Sequence, residues 1–207
     1  MLGAGAIRPF AHWQPREHYP AMSETTINPD AATVSVRRWA EVAHPERLTD
    51  QIDAIFFEAS GTKSFAGDDA REAFRERWLA RYLVQHPQWA YLAMTPDGTV
   101  AGYLVGALDE GSGFDDFAAA AAQYPAHLHV NLSTAFRNRG IGAALIEAFA
   151  ADAAQAGAKG VHVVTSADAR NVRFYERVGF RPRASTIVND RELVFLGRRL
   201  DDPDLTP

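Results

Sequence analysis

Apolar positions along this chain alternate, then recur at helical spacing, then alternate again. Thr33-Val34-Ser35-Val36-Arg37-Arg38-Trp39 has period two and predicts a first strand. Behind Pro45, a residue tolerated in a first helical turn, Leu48, Ile52, Ile55, Phe56 and Ala59 share one helix face, and Gly61 stops it. A second helix starts at Asp68-Asp69, aligns Phe74, Trp78, Leu79, Tyr82 and Leu83, and ends at His86-Pro87. These aromatics read first as core and second as a substrate wall. Residues 89–94 and 100–108 flank Pro96-Asp97-Gly98 and predict a β-hairpin.

Residues 109–123 read as a loop with one short helix. Strand pattern returns in His127-Leu128-His129-Val130-Asn131-Leu132, and Ile141, Leu145, Ala148 and Phe149 then mark a helix with one buried face. Gly157 and Gly160 bracket a turn into a strand over 161–165. Asp168 is the expected N-cap of a short helix carrying Asn171 and Tyr175. Gly179 ends that helix, and strands follow over 181–188 and 191–199. This order predicts an α/β fold: a mixed, mostly antiparallel sheet with helices on both faces.

A single domain over 33–200 is expected, with a flexible leader over 1–32 and a tail over 201–207. The leader lacks a sustained period and carries Pro9, Pro15, Pro20 and Pro29. Met22-Ser23-Glu24 looks like a natural start, which puts the nativeness of residues 1–21 in question.

Arg137-Asn138-Arg139-Gly140-Ile141-Gly142 joins the strand at 127–132 to the helix behind it. A helix N-terminus presents unpaired backbone N–H groups and partial positive charge, so it suits a phosphate. Glycines at 140 and 142 let an anion approach the backbone, and Arg137 and Arg139 can add bidentate charge from the rim. A tight turn without ligand explains the same pair of glycines. A P-loop would need Lys-Ser or Lys-Thr where Ala143-Ala144 stands. A dinucleotide fold would need a third glycine and an acidic residue roughly 20 positions on, where the next strand ends in Thr165-Ser166.

The chain has 207 residues, 47% of them hydrophobic and 23% charged, enough for one well-packed α/β domain and short for two. It has no cysteine, which removes disulfides, thiolate zinc sites and a cysteine nucleophile, and is compatible with the cytoplasm. A net charge of -5 argues against a general nucleic-acid binder. No apolar run approaches the roughly 18 residues of a membrane span, and no signal-peptide core is present, so a cytoplasmic protein without a membrane partner is expected. Asp109, Glu110, Asp115 and Asp116 in the insert could attract a cationic amine, although a solvated acidic loop is the commoner origin of such a cluster.

The run from Arg137 to Gly142 resembles the acyl-CoA pyrophosphate signature of the GCN5-related N-acetyltransferases, Arg/Gln-x-x-Gly-x-Gly/Ala. Downstream, Asn171-Val172-Arg173-Phe174-Tyr175-Glu176-Arg177-Val178-Gly179-Phe180 resembles that family's Asn-x-x-x-x-Phe-Tyr-x-x-x-Gly-Phe segment, slightly shortened. The likeness is strong over 125–181 and looser over 33–124. Within the family, Tyr124-Pro125-Ala126-His127-Leu128-His129 most resembles the branch related to the acetyltransferase-like domain fused to eukaryotic O-GlcNAc hydrolases.

The resemblance implies an acetyl-CoA-dependent N-acetyltransferase, acting on a primary amine by direct attack in a ternary complex, without a metal. Pyrophosphate would sit on Arg137, Asn138, Arg139, Gly140, Ile141, Gly142 and Ala143. Backbone groups of Val130, Asn131 and Leu132 would pair with the pantetheine arm, with the N–H of Val130 or Leu132 facing the oxyanion. Asn171 would hold the pantetheine or phosphate arm, Arg173 could touch phosphate, and Tyr175 would act as general acid on the departing thiolate. A tyrosine packed in the interior is the alternative for Tyr175.

His127 and His129 share a strand face and are candidates for the base, each weighed against a structural histidine. The register is offset by about one residue from that of related enzymes, and one slip reverses a side chain's face. With His162 they could mimic a metal cluster, but no carboxylate stands at matching spacing. A non-catalytic acyl-CoA-binding module and an enzyme acting on a protein or tRNA remain alternatives, and a homodimer is compatible with the chain. The acceptor-selecting walls would come from the first two helices, the 109–123 insert and the last hairpin, where there is no motif to read.

Overall fold

The computed structural model describes residues 34–108, 113 and 115–201. The expected leader with Met22, the acidic Asp109 and Glu110, and tail residues 202–207 lie outside the described residues. In chain order the elements are β1 (Ser35–Arg38), α1 (Thr49–Ala59), α2 (Asp68–Arg75), α3 (Arg81–Gln85), β2 (Ala90–Met94), β3 (Val100–Ala107), α4 (Ala118–Ala121), β4 (Ala126–Leu132), α5 (Ile141–Gln155), β5 (Gly160–Ser166), α6 (Asn171–Arg177), β6 (Arg181–Val188) and β7 (Arg191–Arg199). The strands form one seven-stranded sheet in the order β1-β2-β3-β4-β5-β7-β6. β1/β2, β2/β3, β5/β7 and β6/β7 pair antiparallel, whereas β4/β5 pair parallel, so the sheet is mixed and mostly antiparallel. The parallel register covers Ala126↔Val161 and His127↔His162.

The chain divides into two compact units, one with described residues from 34–107 and 128–149, the other from 108–127 and 150–201. In the first, all eight residues of β3 are buried, as its unbroken apolar run requires. Ile52, Ile55 and Phe56 of α1 pack with Leu79 and Tyr82 against Leu92, Tyr103 and Val105. Arg75 Nε donates to both Asp53 oxygens at 2.8 and 2.9 Å, tying α2 to α1. The expected single second helix is interrupted: Glu76–Ala80 forms a π-helical turn between α2 and α3.

In the second unit Phe117, Ala121 and Tyr124 pack with Ala184 and Phe195. Asp115–Phe117 is a 3-10 turn leading into α4, and Thr186 donates its hydroxyl to Asp116 Oδ2 at 2.6 Å. One insert carboxylate is therefore spent on holding the insert against β6. Asp168 does not cap α6, because the cap position is Arg170 and no side chain bonds there. Turn 166–169 instead closes through Ala169 N–H to the Ser166 carbonyl, which leaves Asp168 exposed before the helix begins.

Candidate functional site

The first unit carries the glycine-containing turn. After β4 the chain makes a 3-10 turn over Thr134–Phe136 and reaches α5 through Asn138 and Gly140, whose φ angles are +62° and +78°. Asn and Gly are the residues that tolerate this left-handed region. Gly140 lends its carbonyl to the Ala144 N–H at 3.0 Å, so the first turn of α5 is formed while Arg137 to Gly140 stay exposed. Ile141 and Gly142 are buried and Ala143 is half-buried. Arg137 donates through Nε to the Leu132 carbonyl at 3.2 Å, and the Arg139 guanidinium lies 5.6 Å from the Phe136 ring centroid. The arrangement is a cationic rim around the N-terminus of a 15-residue helix.

Glu58, at the end of α1, accepts the Thr134 hydroxyl. That hydrogen bond, with help from Arg137 and Lys63, holds its carboxyl below the usual range. Asn131 donates through Nδ2 to the Tyr103 hydroxyl at 2.9 Å, and burial pushes the Tyr103 phenol well above its ordinary pKa. His129 is half-buried, with Trp78 edge-on at 5.5 Å, Tyr82 at 5.4 Å between centroids, and the Tyr82 oxygen 3.3 Å from its Nε2. Glu58, Trp78, Tyr82 and Tyr103 escaped the sequence reading as partners of these residues. Helical spacing marks Trp78 and Tyr82 as a buried face but does not say which strand residue that face meets.

The second unit carries α6 and His127. Asn171 and Arg173 are exposed, and the Thr165 hydroxyl donates to Asn171 Oδ1 at 3.1 Å, linking the end of β5 to the start of α6. Gly179, at φ +90°, closes α6 with bonds from Gly179 N–H to the Glu176 carbonyl and from Phe180 N–H to the Tyr175 carbonyl. This is the Schellman pattern, and its usual apolar contact is the Tyr175–Phe180 ring pair at 5.5 Å. Tyr175 is 6% exposed, and burial pushes its phenol well above its ordinary pKa. His127 is 7% exposed, its ring 5.7 Å from that of His162. His162 donates Nδ1–H to the Tyr124 carbonyl at 2.5 Å and stacks on Phe195. Burial lowers its pKa to about 4.

The structure thus brings His129, Val130, Asn131, Leu132 and the 137–143 turn into one unit, and Tyr175, Asn171, Arg173 and His127 into the other. Among the described residues no group of three His, Cys, Asp or Glu side chains could hold a metal ion. No helix among them is long and apolar enough to cross a membrane.

Comparisons with known proteins accord with this fold. The crystal structure of SsHAT is similar at 21% identity and TM-score 0.63, over 82% of this chain and 100% of that one. The structure of yncA from Salmonella typhimurium with its cofactor acetyl-CoA is similar at 20% identity and TM-score 0.56, over 84% of this chain and 98% of that one. A chain of the NatC complex bound to Gag peptide and CoA is similar at 13% identity and TM-score 0.58, over 80% of this chain and 98% of that one. Residues 52–180, from α1 through the end of α6, match the profile of the acetyltransferase (GNAT) family, and the chain belongs to that family.

Proposed function

We propose that this protein transfers the acetyl group of acetyl-CoA to a primary amine of a small molecule, by direct attack in a ternary complex. The observation that carries the reading is the exposed turn at Arg137–Gly140, which delivers the N-terminus of α5 behind two left-handed residues and two arginines. Those residues fit a pyrophosphate: backbone N–H groups of residues 139–143 face the anion, and Arg137 and Arg139 flank it. The likeness to yncA, whose structure holds acetyl-CoA, supports the choice of donor.

In this reading the amine nitrogen attacks the thioester carbonyl, and the N–H of Val130 or Leu132 stabilises the oxyanion. The two-residue extent of the β4/β5 register supports a role for these later β4 groups, since that register stops at His127. Collapse of the adduct breaks the C–S bond, and Tyr175 hands the leaving sulfur a proton or a hydrogen bond. Its raised pKa keeps the phenol neutral, the form a donor needs. Asn171 and Arg173 hold the pantetheine or phosphate arm. His129 is the better of the two candidate bases, because His127 is buried against His162.

A protein amine is the second acceptor class, favoured by the likeness to NatC, which is bound to a Gag peptide and CoA. The resemblance of Tyr124–His129 to the O-GlcNAc-hydrolase-linked branch concerns ancestry within the family and leaves the acceptor open. Thiol release from acetyl-CoA with a panel of small amines and amino-terminal and lysine peptides tests the reading. Turnover with small amines supports it, turnover with peptides alone moves the acceptor to proteins, and tight CoA binding without release for any acceptor overturns it.

A further inference from the structure

We propose that Tyr103 is a positioning residue for the oxyanion: by holding the side chain of Asn131 it aims the Leu132 N–H at the thioester carbonyl. This rests on the transferase reading above and chooses between the two donors named there.

Three consecutive residues of β3 hold the end of β4. The Ala101 carbonyl accepts the Ser133 N–H at 3.0 Å, Gly102 leaves room for the Asn131 oxygen and the Leu132 Cα, and the Tyr103 hydroxyl accepts a hydrogen bond from Asn131 Nδ2 at 2.9 Å. Main-chain groups of successive strand residues point to opposite sides, so Asn131 and Ser133 turn theirs toward β3 and Leu132 turns its own away. Peptide geometry gives the same answer. A trans peptide is planar with its N–H opposite to its carbonyl, and none of the described peptides is cis. The Asn131 carbonyl beside Gly102 therefore directs the Leu132 N–H away from β3, whereas the Val130 N–H belongs to the peptide with His129, one residue from the anchor. The Leu132 carbonyl looks the same way as its N–H and accepts Arg137 Nε at 3.2 Å. That side of β4 thus already meets the first arginine of the phosphate rim.

The Leu132 N–H swings only if Asn131 turns about its own backbone bonds. Its side-chain bond opposes the turn, because breaking it leaves the buried phenol oxygen without this donor. The anchor itself does not give. All of β3 is buried, and Tyr103 packs in one cluster with Ile52, Ile55 and Phe56 of α1. Support locked by packing is what holds a reacting geometry to within about 0.5 Å. Burial also raises the phenol's pKa, so the hydroxyl stays neutral across any assay range.

Infrared difference spectra of bound acetyl-CoA carrying 13C at the thioester carbonyl test the aim. In the wild type the band should lie below its position in free acetyl-CoA, because a hydrogen bond to the oxygen weakens the C=O bond. Tyr103→Phe keeps the ring and removes the anchor: the band should move back toward the free position, kcat should fall about tenfold or more, and affinity for CoA, which lacks the acetyl group, should be unchanged. Asn131→Ala breaks the same bond from its half-buried end, where folding tolerates the loss, and should shift the band as far. The double variant should be no worse than either single one. A band that stays at the wild-type position in either variant overturns the positioning role, whatever the melting temperatures. So does a wild type that releases thiol while its bound carbonyl vibrates as in free acetyl-CoA. A wild type that releases no thiol with any amine overturns the transferase reading, and the positioning role with it.

Discussion

The main-chain oxygen of Asn131 lies 2.8 Å from where a side chain at Gly102 would begin, and the Cα of Leu132 lies 3.2 Å from it. β3 therefore approaches the part of β4 assigned to pantetheine more closely than any residue but glycine permits. Gly102→Ala would meet the Leu132 Cδ2 first and must displace that side chain and the β4 backbone behind it as well. The protein should lose about 1–3 kcal/mol of stability, the usual cost of overpacking, and KM for acetyl-CoA should rise more than kcat falls. Thermal unfolding and steady-state kinetics on the same preparation check both; an unchanged KM would detach this stretch of β4 from the donor.

Gly142 sits in the first turn of α5, buried behind the exposed rim of Arg137 to Gly140. An aspartate there adds bulk and negative charge where the pyrophosphate is assigned. Gly142→Asp should abolish CoA binding by calorimetry while leaving the far-ultraviolet circular dichroism unchanged. Arg139→Ala should weaken binding by a smaller factor that shrinks as salt is raised, because an exposed arginine acts through screened charge.

The elements with strong local signals were legible in the sequence. Gly179 could be read as a helix stop because a left-handed residue is needed there, and the turn before α5 could be read because Gly140 needs positive φ. The π-helical turn at Glu76–Ala80 left no mark, since its residues are ordinary helix formers. Nor could spacing reveal that Tyr82 meets His129, 47 positions away, or that Glu58 takes the Thr134 hydroxyl, 76 positions away. Asp168 had the right chemistry for a cap and the wrong place, because a turn ending at Ala169 delays the helix to Asn171. Local preferences identify elements, whereas the partners of a site residue follow from tertiary packing.

Tyr175 is fixed by its ring contact with Phe180 across the helix stop. Tyr175→Phe preserves that contact, so folding should be unaffected and kcat should fall by about tenfold to a hundredfold with little change in CoA affinity. The sign of the pKa shift decides the pH behaviour. Burial raises the phenol's pKa, so it stays protonated through and beyond the assay range, and the ratio of wild-type to variant kcat should be flat from neutral to alkaline pH. Equal kcat values would remove Tyr175 from the chemistry.

His162 should make the protein acid-sensitive. Its folded pKa is about 4, depressed by burial against Phe195 beside Tyr124, whereas the unfolded chain has an ordinary value near 6.5. Between those values the unfolded state binds a proton that the folded state refuses, so stability falls as pH drops through this window and levels off below about 4. By pH 4.5 the loss from this one group should reach about 2–3 kcal/mol relative to pH 7.5. His162→Gln has no titrating ring, so its stability, though lower at neutral pH, should fall less on acidification. Urea unfolding of both proteins at pH 7.5, 5.5 and 4.5 isolates the effect as the change in their difference. Parallel pH profiles would mean that the folded protein protonates His162 as readily as the unfolded chain, which burial of the ring beside Phe195 should prevent, although the bond to the Tyr124 carbonyl favours the protonated form.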